Sequence, residues 1–271
     1  VQLTDSQIAE FQQTVLEKGK DLYRDMPWRI DTSPYSILLS EVMLQQTQVS
    51  RVMQKYAEFL SAFPTLADLA HADFQEVLQH WSGLGYNRRA RFLHETAKQI
   101  AAKPDFPRTV EELRACPGIG ENTAASILVY AFNQPLVFLE TNVRTVLIYT
   151  FFNDVTEKIS DSELRKLAEQ VIYRENPRVW YWALMDYGTY LKKTEGNFNR
   201  YSATHTTQSK FEGSFRQKRA SVLRCLLKHG PLTVQEISDS QNYEYELTLE
   251  IVAALVKDAM VTEQNGRIMI R

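Results

Sequence analysis

The sequence predicts an all-α fold closed by a small C-terminal module of a different kind. Three observations carry this. Apolar residues recur at spacings of three and four through most of the first 191 residues. Helix-start signals, a Ser or Thr followed by a Gln or Glu three residues on, or a proline at the first helical position, precede several of these runs. No convincing period-two alternation occurs before residue 260.

Taken in order, Thr4 with Gln7 opens an amphipathic helix carrying Ile8, Phe11, Val15 and Leu16. Ser33-Pro34 opens a second, running to about Tyr56 or Phe59 with a possible break near Gln46. On it, Glu41 and Gln45 are four apart and share a face amid Leu38, Val42 and Leu44. A glutamate so placed either lies on the solvent stripe or lines a pocket. Short helices are expected over 65–70 and 74–81, then a tight loop, Gly83-Leu84-Gly85-Tyr86, and a helix over 87–102. That helix starts with Arg88, Arg89 and Arg91, which oppose the macrodipole and call for an anion nearby.

The stretch 110–146 stands apart. A helix capped by Thr109 and Glu112 stops at Pro117, the chain turns through Gly118-Ile119-Gly120, and a second helix runs to about Phe132. Two helices joined by a short glycine-rich turn form a hairpin whose free amides suit a phosphate. Further on, Glu140 sits in apolar surroundings just before another helix, either as a helix-start residue or as a catalytic acid. Helices over 143–151, 160–173 and 177–191 bring the domain to roughly ten. Residues 192–214 hold few aliphatics and read as a surface connector.

From Phe215 the pattern changes to three helices, over 215–229, 234–238 and 245–258, and a hairpin around Asn265-Gly266. This is the arrangement of a winged helix. Its third helix carries Glu244, Glu246, Glu250 and Asp258 against Lys257, a poor face for a DNA major groove, so a structural, protein-contacting or wing-only role is expected.

Composition bounds the rest. With 271 residues, 44% hydrophobic and 24% charged, the chain can bury one large or two modest cores. No apolar run approaches the roughly 20 residues of a membrane span, and the start lacks signal-peptide order, so a cytoplasmic protein is expected. Cys116 and Cys225 make neither a disulfide framework nor a cysteine-rich metal site. The net charge of −2 gives no hint of nucleic acid, yet residues 192–224 hold eight basic residues against two acidic ones. That stripe fits a phosphate footprint and equally a solvated linker.

With those residues in view, residues 1–191 resemble the helix-hairpin-helix (HhH-GPD) DNA glycosylase superfamily, and most closely its MutY-type adenine glycosylases. The resemblance rests on MPWR (26–29), SPY (33–35), SEVMLQQTQV (40–49), GLGY with a basic helix start (83–91), CPGIGENTA (116–124), ETNVRTV (140–146) and ALMDYG (183–188). It implies a two-lobed domain, one lobe over about 34–127 and the other from 1–25 with 142–191, acting on a nucleotide flipped out of double-stranded DNA that contains a lesion or mispair. Glu41 falls on the family's general acid. Glu140 falls on its near-invariant aspartate, one methylene longer than the family's residue. Asn122 stands where lyase-type members carry lysine, which implies a monofunctional glycosylase. Gln46 and Tyr86 fall on the wedge, Arg88, Gly118, Gly120 and Arg144 on the DNA contacts, and Trp28, Arg29 and Leu44 on the base pocket.

The chain departs from the family where a four-cysteine iron-sulfur loop should begin at Lys192, and in lacking the C-terminal domain that recognises oxidised guanine. Hence no iron-sulfur cluster and no required cofactor are expected, beyond a possible monovalent cation at the hairpin. A monomer excising adenine from a mispair is the leading expectation. The same chemistry on a deaminated, alkylated or mispaired pyrimidine, or a non-catalytic binder of distorted DNA, are the alternatives.

Overall fold

The structure, a computed structural model, describes residues 2–152, 157–207 and 209–271. In chain order α1 (Asp5–Asp21) opens on the Thr4–Gln7 capping box, and α2 (Pro27–Ile30) is a single turn that apolar spacing was too short to announce. The long helix expected after Ser33 is two, α3 (Pro34–Leu44) and α4 (Val49–Ala62). The break falls where Gln46 takes a left-handed φ of 54°. Next come α5 (Leu66–His71), α6 (Phe74–Trp81), α7 (Arg88–Ala101) and α8 (Val110–Arg114). After them come α9 (Glu121–Phe132), α10 (Thr141–Phe151), α11 (Asp161–Val171) and α12 (Pro177–Thr194). The C-terminal module consists of α13 (Phe215–His229), α14 (Val234–Gln241) and α15 (Tyr245–Lys257), then β1 (Val261–Gln264) paired antiparallel with β2 (Arg267–Ile270).

The chain divides into two compact units. The first comprises Val1–Glu41, Arg108–Ala115 and Ile119–Thr207; the second comprises Val42–Pro107, Cys116–Gly118 and Gln208–Arg271. Helix α9, which the sequence boundaries grouped with residues from 34 onward, lies in the first.

In the first unit α1, α10 and α12 pack together around Phe11, whose ring meets Phe151 at 4.8 Å and Trp180 edge-on at 5.8 Å. Gly188 of α12 lies so close to the start of α10 that a Cβ would stand 2.6 Å from the Asn142 carbonyl. Only glycine fits there. Beside it, the buried Asp186 carboxylate accepts from Arg24 Nε at 2.5 Å and from both terminal nitrogens of Arg29 at 2.7 and 3.0 Å. Arg29 is as deeply buried as its partner. Asp186→Asn should therefore leave two guanidinium groups without their counter-charge and cost about 3–5 kcal/mol. A fall in thermal midpoint of roughly 10 °C is expected, and a fall under 2 °C would show that the pair is dispensable.

The connector after α12 is not wholly a surface crossing. A 3-10 turn, Phe198–Tyr201, follows it, Asn199 and Ser202 are buried, and Ile159 bridges to Ser202. Phe198, 5.1 Å from the Tyr149 ring, supplies the apolar surface that a count of aliphatics overlooks.

In the second unit, α4, α6 and α7 pack around Phe59, Trp81 and Leu93, all essentially fully buried. The C-terminal module closes its own core with Val222, Leu226, Ile237, Ile251, Leu255 and Ile268. At its hairpin, Asn265 and Gly266 both have positive φ, 51° and 72°, as the tight turn requires. The acidic residues Glu244, Glu246 and Glu250 of α15 are exposed, together with Tyr245 and Leu249.

Candidate active site

Of the residues singled out from sequence, Trp28, Arg29, Glu41, Gly120, Asn122, Glu140 and Arg144 fall in the first unit, and Leu44, Gln46, Tyr86, Arg88 and Gly118 in the second.

The first unit brings the two acids together with α9. Glu41, near the end of α3, has its carboxylate 2.5 Å from the Ser126 hydroxyl. Burial pushes Glu41 up to about 7; the Ser126 hydrogen bond works against that rise and the charge of Glu140 adds to it. The side chain is nonetheless partly open to solvent. Glu140 is also raised, first by the protein crowded around it, with Arg144 and the Thr141 amide pulling the other way. Its side chain keeps an exposed face, and water on that face limits the rise. Both acids are thus crowded by protein and still reachable, and for Glu41 the crowding is enough to hold a proton up to about pH 7 and deliver it.

Glu140 is delivered by an extended segment held at several points. Asn122 clamps the preceding residue from both sides, its Nδ2 donating to the Leu139 carbonyl and its Oδ1 accepting from the Leu139 amide, each at 3.3 Å. The Tyr181 hydroxyl donates to the Leu136 carbonyl and accepts from the Phe138 amide, both at 3.2 Å, while its ring stacks on Phe138 at 3.9 Å. Glu140 is then the N-cap of α10 and makes no side-chain cap bond; the Thr141 backbone is the hydrogen-bond partner that lowers it. Asn122, expected among the catalytic residues, has both amide atoms engaged on the Leu139 backbone.

Sequence reasoning missed Ser126 and Tyr130. They follow Asn122 at steps of four on α9, a polar stripe on a helix that between Ala124 and Ala131 is otherwise built of Ala, Ile, Leu and Val. That stripe was a readable signal. The Tyr130 hydroxyl is held well above its ordinary range by burial, then by the charge of Glu41, with Arg29 opposing. Its ring meets Phe138 edge-on at 5.9 Å and lies parallel to Trp182 at 6.5 Å.

Two expected roles meet prior engagements. Arg29, expected at the base pocket, places its guanidinium on Asp186 and the Arg24 carbonyl, with Trp28 buried next to it. Arg144, expected on DNA, is held bidentate by Asp161 at 2.7 and 3.1 Å. Both charges are neutralised inside the protein. At the hairpin, Gly120 is the exposed N-cap of α9 and makes no side-chain cap bond.

In the second unit, Gln46 and Tyr86 both adopt left-handed backbones, φ 54° and 47°, a strained state for residues other than glycine that is concentrated at functional positions. Gln46 is exposed and Leu44 half-buried. Arg89 is the brace between their segments. Its buried guanidinium donates to the Val42, Met43, Gln45, Leu84 and Gly85 carbonyls and to the Thr47 hydroxyl. Burial lowers it to about 10, so it stays charged at neutral pH. Of the three arginines that called for an anion, Arg91 pairs with Glu95 at 2.8 Å and the exposed Arg88 with Asp258 at 3.5 Å, while Arg89 is satisfied by neutral oxygens instead. The Tyr86 hydroxyl bonds to Arg216 of α13, whose guanidinium lies 5.1 Å from the ring centroid. Gly118, φ 75°, packs where a Cβ would stand 2.7 Å from the Phe92 ring.

Among the described residues no group of three His, Cys, Asp or Glu could hold a metal. The chain has only Cys116 and Cys225, both buried and free, so its cysteines do not fit a four-cysteine iron-sulfur cluster.

Residues 39–172 match the model of the HhH-GPD superfamily base excision DNA repair proteins. The chain is 37% identical over 183 residues to an adenine DNA glycosylase of Buchnera aphidicola, covering 66% of this chain and 52% of that one. It is 35% identical over 196 residues to the adenine DNA glycosylase of Homo sapiens, covering 68% and 36%. The chain thus spans about half, or less, of the length of these relatives. Among solved structures, a thermostable thymine-DNA glycosylase aligns with a TM-score of 0.59 at 24% identity, over 68% of this chain and 87% of that one. Endonuclease III trapped covalently on DNA aligns with a TM-score of 0.57 at 22% identity, over 70% and 88%. At such identities the likeness to the solved structures is one of fold.

Proposed function

The chain belongs to the HhH-GPD superfamily of base excision DNA repair proteins, with MutY-type adenine glycosylases as its relatives by sequence, and from that premise we propose that it is a monofunctional DNA glycosylase releasing adenine from a mispair. The observation that carries the reading is the pair of reachable, crowded acids. Loss of a purine leaves positive charge on the sugar and negative charge on the base, so two carboxyl groups can divide the work. Glu41, protonated near neutral pH, gives its proton to the departing base. Glu140, ionised, faces the oxocarbenium-like sugar and the attacking water. The nucleotide must first leave the helix, at a cost of a few kcal/mol. Gln46 and Tyr86, whose strained backbones point to a use other than packing, would fill the gap. The hairpin amides at Gly118 and Gly120 would take a phosphate, and its carbonyls a monovalent cation.

Asn122 supports hydrolysis without lyase chemistry, because an amide cannot form a Schiff base and this one is engaged on Leu139. The test is mass analysis of the bases released from a library of lesion and mispair duplexes, with borohydride added in a parallel reaction. Adenine should be the released base, with no protein trapped on DNA. Release of a pyrimidine would move the substrate, a trap would restore lyase chemistry, and no base from any duplex would leave a binder of distorted DNA.

A further inference from the structure

The hydroxyl of Ser126 has one hydrogen and two acceptor neighbours. Its Oγ lies 2.5 Å from Glu41 Oε2 and 3.0 Å from the Thr123 carbonyl one turn back on α9. A carbonyl can only accept, and one hydrogen cannot serve both oxygens. The three groups are satisfied together only when Glu41 carries a proton and donates it to Ser126 Oγ, while Ser126 donates to Thr123. When Glu41 is ionised, the hydroxyl rotates and donates to the carboxylate. Thr123 loses little, because its carbonyl already lies in the interior of α9, where the backbone ladder serves it. Ser126 is fully buried, so no water competes for either position.

We infer that Ser126 is a two-way partner of Glu41, accepting from the neutral acid and turning to donate to the carboxylate left after proton transfer. The inference rests on the glycosylase reading for its catalytic meaning but not for its chemistry. In the transfer step the Glu41 O–H swings from Ser126 Oγ to the departing base as the Ser126 hydroxyl rotates to donate to the carboxylate; the O–H bond of Glu41 breaks as an N–H bond forms on the base, and the bonding pair remains on the Glu41 oxygen. A hydrogen bond to a charged group is roughly twice as strong as one between neutral groups. The reoriented hydroxyl therefore favours the product side, and the acid releases its proton more readily than its burial alone would allow. The other groups facing this acid are Glu140, before α10, and Tyr130, on α9; Arg29 of α2 acts on Tyr130 and Arg144 of α10 on Glu140. None of them but Tyr130 carries a hydroxyl, and Tyr130, held protonated by burial, interacts with Glu41 through charge.

The test titrates Glu41 directly by carboxyl carbon NMR in protein labelled at glutamate, with Glu41→Gln to assign the resonance, and compares the pH profile of single-turnover base release. In Ser126→Ala the Glu41 titration should move to higher pH by about half a unit to 1 unit, the difference between a hydrogen bond to the carboxylate and one to the neutral acid. The alkaline limb of base release should move with it, and the plateau rate should fall about tenfold. Ser126→Cys, a weak donor of similar shape, should lie between the two. A titration that stays put or moves to lower pH in Ser126→Ala overturns the inference, since a purely structural serine would slow the reaction without moving the titration. If the wild type releases no base from any duplex, the glycosylase reading fails while the NMR titration still decides the role of Ser126.

Discussion

Glu41→Gln is expected to lower base release by about 100- to 10,000-fold, the range spanned by general acid catalysis, while leaving affinity for lesion duplexes within a few-fold. Glutamine keeps the shape and the contact with Ser126 but has no proton to give. The wild-type rate should fall tenfold per unit above about pH 7, because burial holds Glu41 protonated up to there, and should fall again on the acid side as Glu140 takes up a proton. The substitution should affect stability in the opposite sense to rate. The folded-state value of Glu41 lies above its unfolded value of 4.5, so its contribution is fully present below pH 4.5 and is lost as pH rises through about 7. Glu41→Gln is neutral throughout. It should therefore melt higher than the wild type at pH 8, with the difference closing below pH 4.5. Single-turnover kinetics and thermal melts across pH check both halves, and retained turnover would remove Glu41 from the acid's role.

What the sequence could convey about this site follows from the range over which each interaction acts. Asn265-Gly266 was readable because its backbone demand is local, whereas the apolar neighbours of Glu41 and Glu140 only marked them out and left each open between two readings, which the resemblance to the glycosylase superfamily alone resolved. Ser126 and Tyr130 were readable in principle from their steps of four after Asn122, but on a helix with so many aliphatics the apolar periodicity drowned that stripe. The engagements of Arg29 and Arg144 were not readable at all. Asp186 lies 157 residues from Arg29, and nothing local distinguishes a guanidinium bound for a carboxylate inside the protein from one bound for a phosphate. The same holds for Arg89, whose six oxygen partners come from two segments that only the fold brings to it. Charge and residue type show that an arginine needs an anion or a cluster of carbonyls; the tertiary structure decides which.

Glu140→Asp is expected to make the protein more stable and the reaction slower. Glu140 is the N-cap of α10 without a side-chain cap bond, a position where aspartate is among the best residues and glutamate is not. The shorter side chain should turn onto the amides of the first turn and add about 1 kcal/mol. The same move withdraws the carboxylate from the sugar by about 1 Å, and a displacement of that size can cost on the order of 100-fold in rate. Nothing nearby is placed to give that distance back. The backbone before Glu140 is held by Asn122 on both sides of Leu139 and by Tyr181 on Phe138 and Leu136, so the segment cannot advance to carry a shorter acid forward. Releasing the clamp should change the outcome: Asn122→Ala in the Glu140→Asp background should recover part of the lost rate while destabilising the fold. Thermal melts and single-turnover base release on the four proteins of this cycle measure both terms. A Glu140→Asp variant as fast as the wild type, or faster, would show that the backbone was never set back for the longer acid.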